Sequence, residues 1–403
     1  MTTSLSEPGL FAGSAPTALA PGASVALLDA YRAGTDRFLA TPRRTLLAHG
    51  TAAEVPHDDS PLPQRVHGLL NRLRRPGRPA PLVLGAVPFL PGAPCALAVP
   101  ETLRTAPALG EDPLIALPAQ DAADGSGWQL REHPAPEEYA AAVAAAVARM
   151  RAGEFDKVVL ARTLELTAPE DPDLPAMLNR LARRDPTGYT FALPSAPGRT
   201  LIGASPELLV ARQGGRVTAN PLAGSAPRSA DLAEDVRRAV ALLESPKDLH
   251  EHAVVVDAVR RALAPLCARL EVPERPTLVR TATMWHLSTT VTGEIAGDHV
   301  TALDLASALH PTPAVCGTPT DVARDVIAAS EPFDRGAYTG MVGWQDADGD
   351  GEWVVTIRCA EAEGRTLRLF AGAGVVAESS PEAETAETAA KFRTFLDAVG
   401  AAL

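Results

Sequence analysis

Residues 351–392, GEWVVTIRCAEAEGRTLRLFAGAGVVAESSPEAETAETAAKF, decide how the rest of the chain is read. From Trp353 to Cys359 the residues alternate as on a strand. Trp353, Val355, Ile357 and Cys359 share one face, and Val354, Thr356 and Arg358 the other, so Thr356 and Arg358 are expected to look away from the apolar side. A second strand leads to Gly372-Ala373-Gly374, where the backbone can approach a ligand closely. Ser380 and Pro381 read as the N-cap and first residue of a helix. On that helix Glu384, Glu387 and Lys391 lie at i, i+3 and i+7, forming one stripe. Two carboxylates on one stripe repel unless positive charge stands between them. Mg²⁺ suits that place, because it takes oxygen ligands and often shares them with its substrate. The segment is therefore read as a site where a metal holds a dicarboxylate.

Outward from this segment, strands and helices interleave. The Ala-rich stretch 132–154, with Pro134 and Pro136 ahead of it, predicts a helix, and FDKVVLART a strand after it. A helix is expected near 174–184 and a meander of strands over 187–220. Two helices follow, one opened by the capping box Asp231/Glu234 and one running from Ser245-Pro246 to about Arg269. Residues 25 to about 130 hold short strands and turns without a catalytic constellation. The mixed order favours an α+β fold over a regular βαβ barrel. The first residues, 1–24, are rich in Ala, Ser, Gly and Pro and read as a disordered lead-in.

Composition narrows the partners. The 403-residue chain is 46% hydrophobic and 21% charged, with a net charge of −12. That balance argues against nucleic acid or an anionic membrane surface as the partner. An acidic protein that binds an anion must supply local positive charge from a metal or from placed Arg and Lys. The four cysteines, Cys95, Cys267, Cys316 and Cys359, form no CxxC pair, which points to neither zinc nor disulfides and favours a reducing cytoplasm. No apolar run is long enough to span a bilayer, and the N-terminus lacks the basic region of a secretory signal.

Several short motifs each admit two readings. Lys157 in DKVVLAR is either a solvated strand end or a buried lysine able to act as a base. Glu207 in GASPELL is either a surface-turn residue or a carboxyl whose apolar neighbours keep it protonated for use as an acid. NPLAGSAPR, 220–228, is a plain loop or a backbone facing a ligand. Lys247 and Glu251 in SPKDLHEH form an i, i+4 salt bridge, or Glu251 is a metal ligand. QDADGDGEW, 345–353, imitates the start of an EF-hand, but the required bidentate Glu is replaced by Ile357, so a hairpin turn is expected instead. His286 and His310 have no metal-spaced partner and read as core histidines.

Taken in order, DKVVLAR, GASPELL, PLAGS, KDLHEH, LHPTPAVCG, EPFDRGAYTGMVGW, GEWVVTIRCAE, RLFAGAG and the closing ETAETAAK at 384–391 resemble the chorismate-utilising enzyme family, and within it the isochorismate synthases of siderophore pathways. The resemblance covers about residues 135–403. It implies a chorismate-binding fold like that of anthranilate synthase component I, with two large antiparallel sheets in a sandwich and flanking helices, residues 25–403 forming one domain. It implies chorismate as substrate, Mg²⁺ as cofactor, a cytoplasmic monomer, and no glutaminase subunit, nucleic acid or membrane as partner. Residue by residue, it makes Lys157 the base and Glu207 the acid. Glu251 and Glu387, with Glu384 through water, become the metal ligands, and Lys391 balances them. Arg358, Tyr338 and the Gly372 backbone take the enolpyruvyl carboxylate, and Gly224 and Ser225 line the metal-side carboxylate.

Two positions depart from the family pattern: Pro246 stands where Glu is common, and Ser225 where pyruvate-eliminating relatives tend to have Thr. The second favours simple isomerisation over a salicylate synthase. An ammonia-using synthase subunit is disfavoured by Lys157, where those relatives tend to carry Gln. A non-catalytic chorismate-binding protein is disfavoured by the intact set Lys157, Glu207, Glu251 and Glu387.

Overall fold

Leu82–Val87, LVLGAV, is buried along its whole length because each of its faces meets a different apolar layer. Leu84 and Ala86 pack with Leu39, Leu46, Phe191, Leu201, Val342 and Trp344. Val83 and Val87 turn the other way, toward Leu303, Val259 and Val66 on helices. The same alternation runs through Asp36–Ala40, where Leu39 faces the inner layer while Phe38 and Ala40 face Leu178 and Leu181 of the helix Leu174–Arg184. Period-2 side chains on strands covered on both sides give this pattern. Each fully buried Leu or Phe contributes about 1.5–3 kcal/mol.

The computed structural model describes residues 21–119 and 127–400. Among them the strands form a ten-stranded and a nine-stranded sheet, with a three-stranded sheet beside them, and every strand pairing is antiparallel. The two large sheets enclose the inner apolar layer and helices cover their outer faces. This is the α+β sandwich expected from the sequence. Residues before 107 contribute strands to both large sheets. Of the lead-in expected over 1–24, residues 1–20 lie outside the described residues, and Ala23 and Ser24 already belong to the helix Ala23–Asp29. No described helix is long and apolar enough to cross a membrane.

Most elements fall where the sequence put them: Pro136–Arg151, Lys157–Thr167, Leu174–Arg184 and Pro381–Val399. Ser380 caps the last of these, its Oγ accepting from Ala383 N at 3.3 Å. Asp231 caps its helix by accepting from Glu234 N. QDADGDG is the hairpin turn between Met341–Asp346 and Gly351–Val355.

Three expectations are corrected. The helix from Ser245 stops at Leu263, and Cys267–Glu271 forms a strand against Val291–Ile295. PLAGSAPR is largely strand, Leu222–Pro227, paired with Met284–Ser288. The run Trp353–Cys359 is not one strand. Gly351–Val355 belongs to the nine-stranded sheet and Cys359–Glu363 to the ten-stranded one, and the chain passes between them at Thr356–Arg358. Alternation hid the break because apolar burial continues across it: Gly351–Val355 is buried throughout, and Cys359, Ala360 and Ala362 are buried in the next strand. Arg358 takes a φ of 51° there, a conformation uncommon for a side chain with a Cβ.

A second passage lies beside the first. Arg199–Ser205 is in the ten-stranded sheet and Leu208–Gln213 in the nine-stranded one, so Pro206 and Glu207 make the crossing. The two passages are tied by Ala204 N donating to Arg358 O at 3.0 Å, Val355 N to Glu207 O at 3.1 Å, and Ser205 Oγ to Val355 O at 2.7 Å.

Candidate active site

One cleft opens at these paired crossings. Glu207, Gly224, Ser225, Glu251, Tyr338, Arg358, Gly372, Glu387 and Lys391 line it, and Lys157 and Glu384 stand behind its wall. No residue before Val159 lines it, in keeping with the absence of a constellation in the first third of the chain.

Glu207 is 3% exposed, so the surface-turn reading falls. Leu222 N donates to its Oε1 at the long distance of 3.4 Å. Burial pushes its carboxyl up to about 7, against the pull of that hydrogen bond and of the Lys157 and Lys391 charges. A carboxyl that keeps its proton near neutrality is a competent general acid.

Arg358 is 8% exposed, and its guanidinium makes no side-chain hydrogen bond to any other described residue. Burial pulls it down to about 10, partly opposed by Glu387 and Tyr338, so it is charged at neutral pH. A buried, charged fork without a protein partner is poised for an anion, which it can grip with two parallel hydrogen bonds. The left-handed backbone at the crossing aims it into the cleft, contrary to the strand-face expectation. Tyr338 is held near it, stacked on Phe370 with ring centroids 5.0 Å apart. Arg335 lies 5.7 Å from the Tyr338 ring centroid.

Arg335 and Glu331 form a buried ion pair that the sequence reading missed. Arg335 donates to Val159 O at 2.7 Å and Val315 O at 2.9 Å, and Glu331 Oε1 accepts from Ala161 N at 2.8 Å. The pair thus clamps the Lys157 strand to the loop carrying Tyr338. EPFDRGAY carried this signal as an i, i+4 Glu–Arg spacing, but nothing local showed that the pair would be buried.

The acidic and basic residues assemble around Lys157. That lysine is 2% exposed, so it is no solvated strand end, and its Nζ meets Glu251 Oε1 at 2.7 Å. Gly374 leaves the necessary room: a Cβ there would come within 2.7 Å of Glu251 Oε1. Gly372 likewise makes space for the Tyr338 hydroxyl, 2.8 Å from where its Cβ would be, and its carbonyl accepts from Lys391 Nζ at 2.7 Å. Lys391 also pairs with Glu387 at 2.6 Å. Of the two readings of Lys247 and Glu251, the i, i+4 bridge is not formed. Lys247 lies 3.5 Å from Glu384 Oε1 instead. The reason is that buried Lys157 needs a counter-ion, and Glu251 supplies it. The helix bearing Glu384, Glu387 and Lys391 is fixed to the Lys157 strand by fully buried Arg162, which donates to Thr388 Oγ1 at 2.8 Å and Glu132 Oε1 at 2.9 Å.

Glu251, Glu384 and Glu387 offer the carboxylate oxygens that a hard divalent cation takes. Glu384 is 2% exposed, and its Oε1 has no hydrogen-bond partner among the described residues. Burial first, and then Glu387, push its carboxyl upward, the expected response of an anion short of positive charge. Among the described residues no three ligand-type side chains are drawn into one coordination group; each glutamate faces a lysine.

Ser225 and His286 form a unit. Ser225 Oγ and His286 Nδ1 are 2.7 Å apart on paired strands, so the serine hydroxyl serves the histidine. His286 was expected in the core; it is buried but lines the cleft, and its Nε2 has no partner among the described residues. Burial, then the Arg358 and Lys391 charges, hold it far below its usual range, so the ring is neutral. No sequence signal could have found it, because it depends on the pairing of two strands about sixty residues apart. His310 is a core histidine as expected, with Nε2 3.2 Å from Phe89 O and its ring edge-on to Phe89.

The model of the chorismate binding enzyme family matches residues 115–400. The isochorismate synthase DhbC of Bacillus subtilis (strain 168) is 52% identical over 385 residues, covering 93% of this chain and 96% of that protein. A Bacillus anthracis protein described as a 2,3-dihydroxybenzoate-specific isochorismate synthase superposes with a TM-score of 0.87 at 47% identity, over 94% of this chain and all of that one. Anthranilate synthase component I from Streptococcus pneumoniae TIGR4 shares the fold, with a TM-score of 0.72 at 23% identity over 88% of this chain and 92% of that one.

Proposed function

We propose that this chain, which belongs to the chorismate binding enzyme family, is an isochorismate synthase that isomerises chorismate to isochorismate. The observation that carries the reading is the unpartnered, buried Arg358 guanidinium in the same cleft as the buried, protonated Glu207. Chorismate carries a ring carboxylate, an enolpyruvyl carboxylate and a C4 hydroxyl. Water adds at C2, the ring double bonds shift, and the C4 hydroxyl leaves as water, so atoms balance as an isomerisation.

Glu207 gives its proton to the departing C4 hydroxyl, because hydroxide is a poor leaving group. Lys157, as the neutral amine left when it gives its proton to solvent, takes the proton from the attacking water, and solvent exchange resets both groups. Arg358, with Tyr338, holds the enolpyruvyl carboxylate. Gly224 and the Ser225–His286 unit line the end where the ring carboxylate lies. Glu251 and Glu387, with Glu384 through water, would hold Mg²⁺, which would bind the ring carboxylate and draw electron density from the ring. The reading treats the protein as a cytoplasmic monomer of one domain, 25–403, that needs no glutaminase partner. Its product is read as feeding 2,3-dihydroxybenzoate-type siderophore synthesis.

The test is a chromatographic assay of chorismate with Mg²⁺, together with a coupled pyruvate assay lacking any lyase. Isochorismate should accumulate, and the same mixture should form from either isomer. Prompt, stoichiometric pyruvate with no isochorismate would make the enzyme a salicylate synthase.

Two further results are expected. Because Glu207 must carry its proton, kcat/KM should decline as pH rises through about 7, where its carboxyl ionises. A pH profile with no alkaline limb near neutrality would remove Glu207 as the acid. Arg358→Lys should cost roughly 2–3 kcal/mol in kcat/KM, since an ammonium cannot offer the planar two-point grip. Wild-type kinetics in that variant would show that Arg358 does not hold the substrate.

A further inference from the structure

Each of the three glutamates is matched by one lysine. Glu251 meets Lys157 at 2.7 Å and Glu387 meets Lys391 at 2.6 Å. Both are close ion pairs, the first of them also a hydrogen bond, and both lysines are largely buried. The third pair differs. Lys247 Nζ is 3.5 Å from Glu384 Oε1, no hydrogen bond joins them, and the Lys247 side chain is 46% exposed against 2% for Glu384. A buried carboxylate oxygen is thus served at a distance by an ammonium that is half in water.

We propose that Lys247 is the exchangeable counter-ion of this cluster, an ammonium that a hydrated divalent cation must displace from Glu384, and that it thereby sets the affinity of the site for metal. The proposal rests on the reading of Glu251, Glu384 and Glu387 as metal ligands. It follows from three physical points. Glu384 Oε1 has no hydrogen-bond partner among the described residues, so that oxygen depends on the nearest cation, although Ser379 serves the carboxylate by a side-chain hydrogen bond. A hard dication brings twice the charge of an ammonium and prefers oxygen ligands. Lys247 gives up its place at low cost, because its head is already hydrated and its stem stands on the first turn of the helix Pro246–Leu263, at the mouth of the cleft. Lys157 and Lys391 cannot leave so readily. Each holds only the Oε1 of its glutamate, so a metal can take the other carboxylate oxygen without moving it, and Lys391 is also bonded to Gly372 O at 2.7 Å. An i, i+4 bridge from Lys247 to Glu251, one of the two readings that the spacing allows, would leave Lys247 no part at Glu384.

The experiment measures Mn²⁺ binding to the full chain without chorismate, by the electron paramagnetic resonance signal of free Mn²⁺, at fixed pH and ionic strength. Removing the competing charge in Lys247→Met should tighten binding by on the order of five- to tenfold, a figure already reduced for the half-exposed position. Lys247→Gln, a second neutral variant, should do the same. Lys247→Arg, which keeps the charge, should bind Mn²⁺ nearly as wild type does. The gap between Met and wild type should narrow as salt is added. Unchanged or weaker Mn²⁺ binding in both neutral variants, with wild-type binding intact, would overturn the proposal. Wild-type Mn²⁺ binding that survives the double change Glu251→Gln with Glu387→Gln would instead overturn the assignment of the metal ligands, a separate result.

Discussion

Exhaustive removal of divalent cations should stop turnover entirely, and Mg²⁺ added back should restore it. Glu251 and Glu387 line the cleft, with Glu384 behind them beside Lys247, in a protein whose net charge is already −12. Three lysines offset three carboxylates, so the cluster has no net positive charge left for a ring carboxylate. Arg358 is free to serve one carboxylate of a dicarboxylate, and the second requires another cation. The double change Glu251→Gln with Glu387→Gln should abolish both turnover and the calorimetric heat of Mg²⁺ binding. It should also lower thermal stability, because it strips Lys157 of its partner; an uncompensated buried charge costs on the order of 3–5 kcal/mol. Near-ultraviolet circular dichroism separates this loss from unfolding. Full turnover in a chelator after dialysis would sink the metal assignment.

Lys157→Gln should lower kcat by on the order of 10²-fold or more, the typical worth of a positioned general base. Lys157 stands behind the cleft wall, with Glu251 between it and the open space. Its reach to a water at C2 therefore depends on where the Glu251 carboxylate turns, and a neutral amide at 157 could neither follow that movement nor accept a proton. Substrate affinity should change less, since no carboxylate is assigned to this lysine. The informative quantity is the division of the effect between kcat and KM. A large rise in KM at unchanged kcat would make Lys157 a binding residue and leave the base to be found elsewhere.

Much of the site was legible because motifs are local. Ser380 and Pro381 start the last helix by capping, and helical spacing then puts Glu384, Glu387 and Lys391 on one stripe wherever the helix docks. Glu207 could be suspected from its proline and leucine neighbours, and its burial makes the suspicion chemical. Arg358 was picked out for the right residue type but placed on the wrong geometry, since a run that alternates looks the same whether it stays in one sheet or changes sheets.

The sequence alone determined the α+β class, the positions of the long helices and strands, and the residue types able to hold a dicarboxylate. These follow from caps, periodicity and motif order, all of which act within a few residues. Only the tertiary structure decided which ammonium meets which carboxylate, that Ser225 serves His286, and that the two sheet crossings lie side by side. Lys157 and Glu251 are 94 residues apart in sequence, and Ser225 and His286 are 61 apart. Contacts of that range are selected by the requirement that buried charges find partners and that two sheets share one apolar layer. No local pattern expresses either requirement.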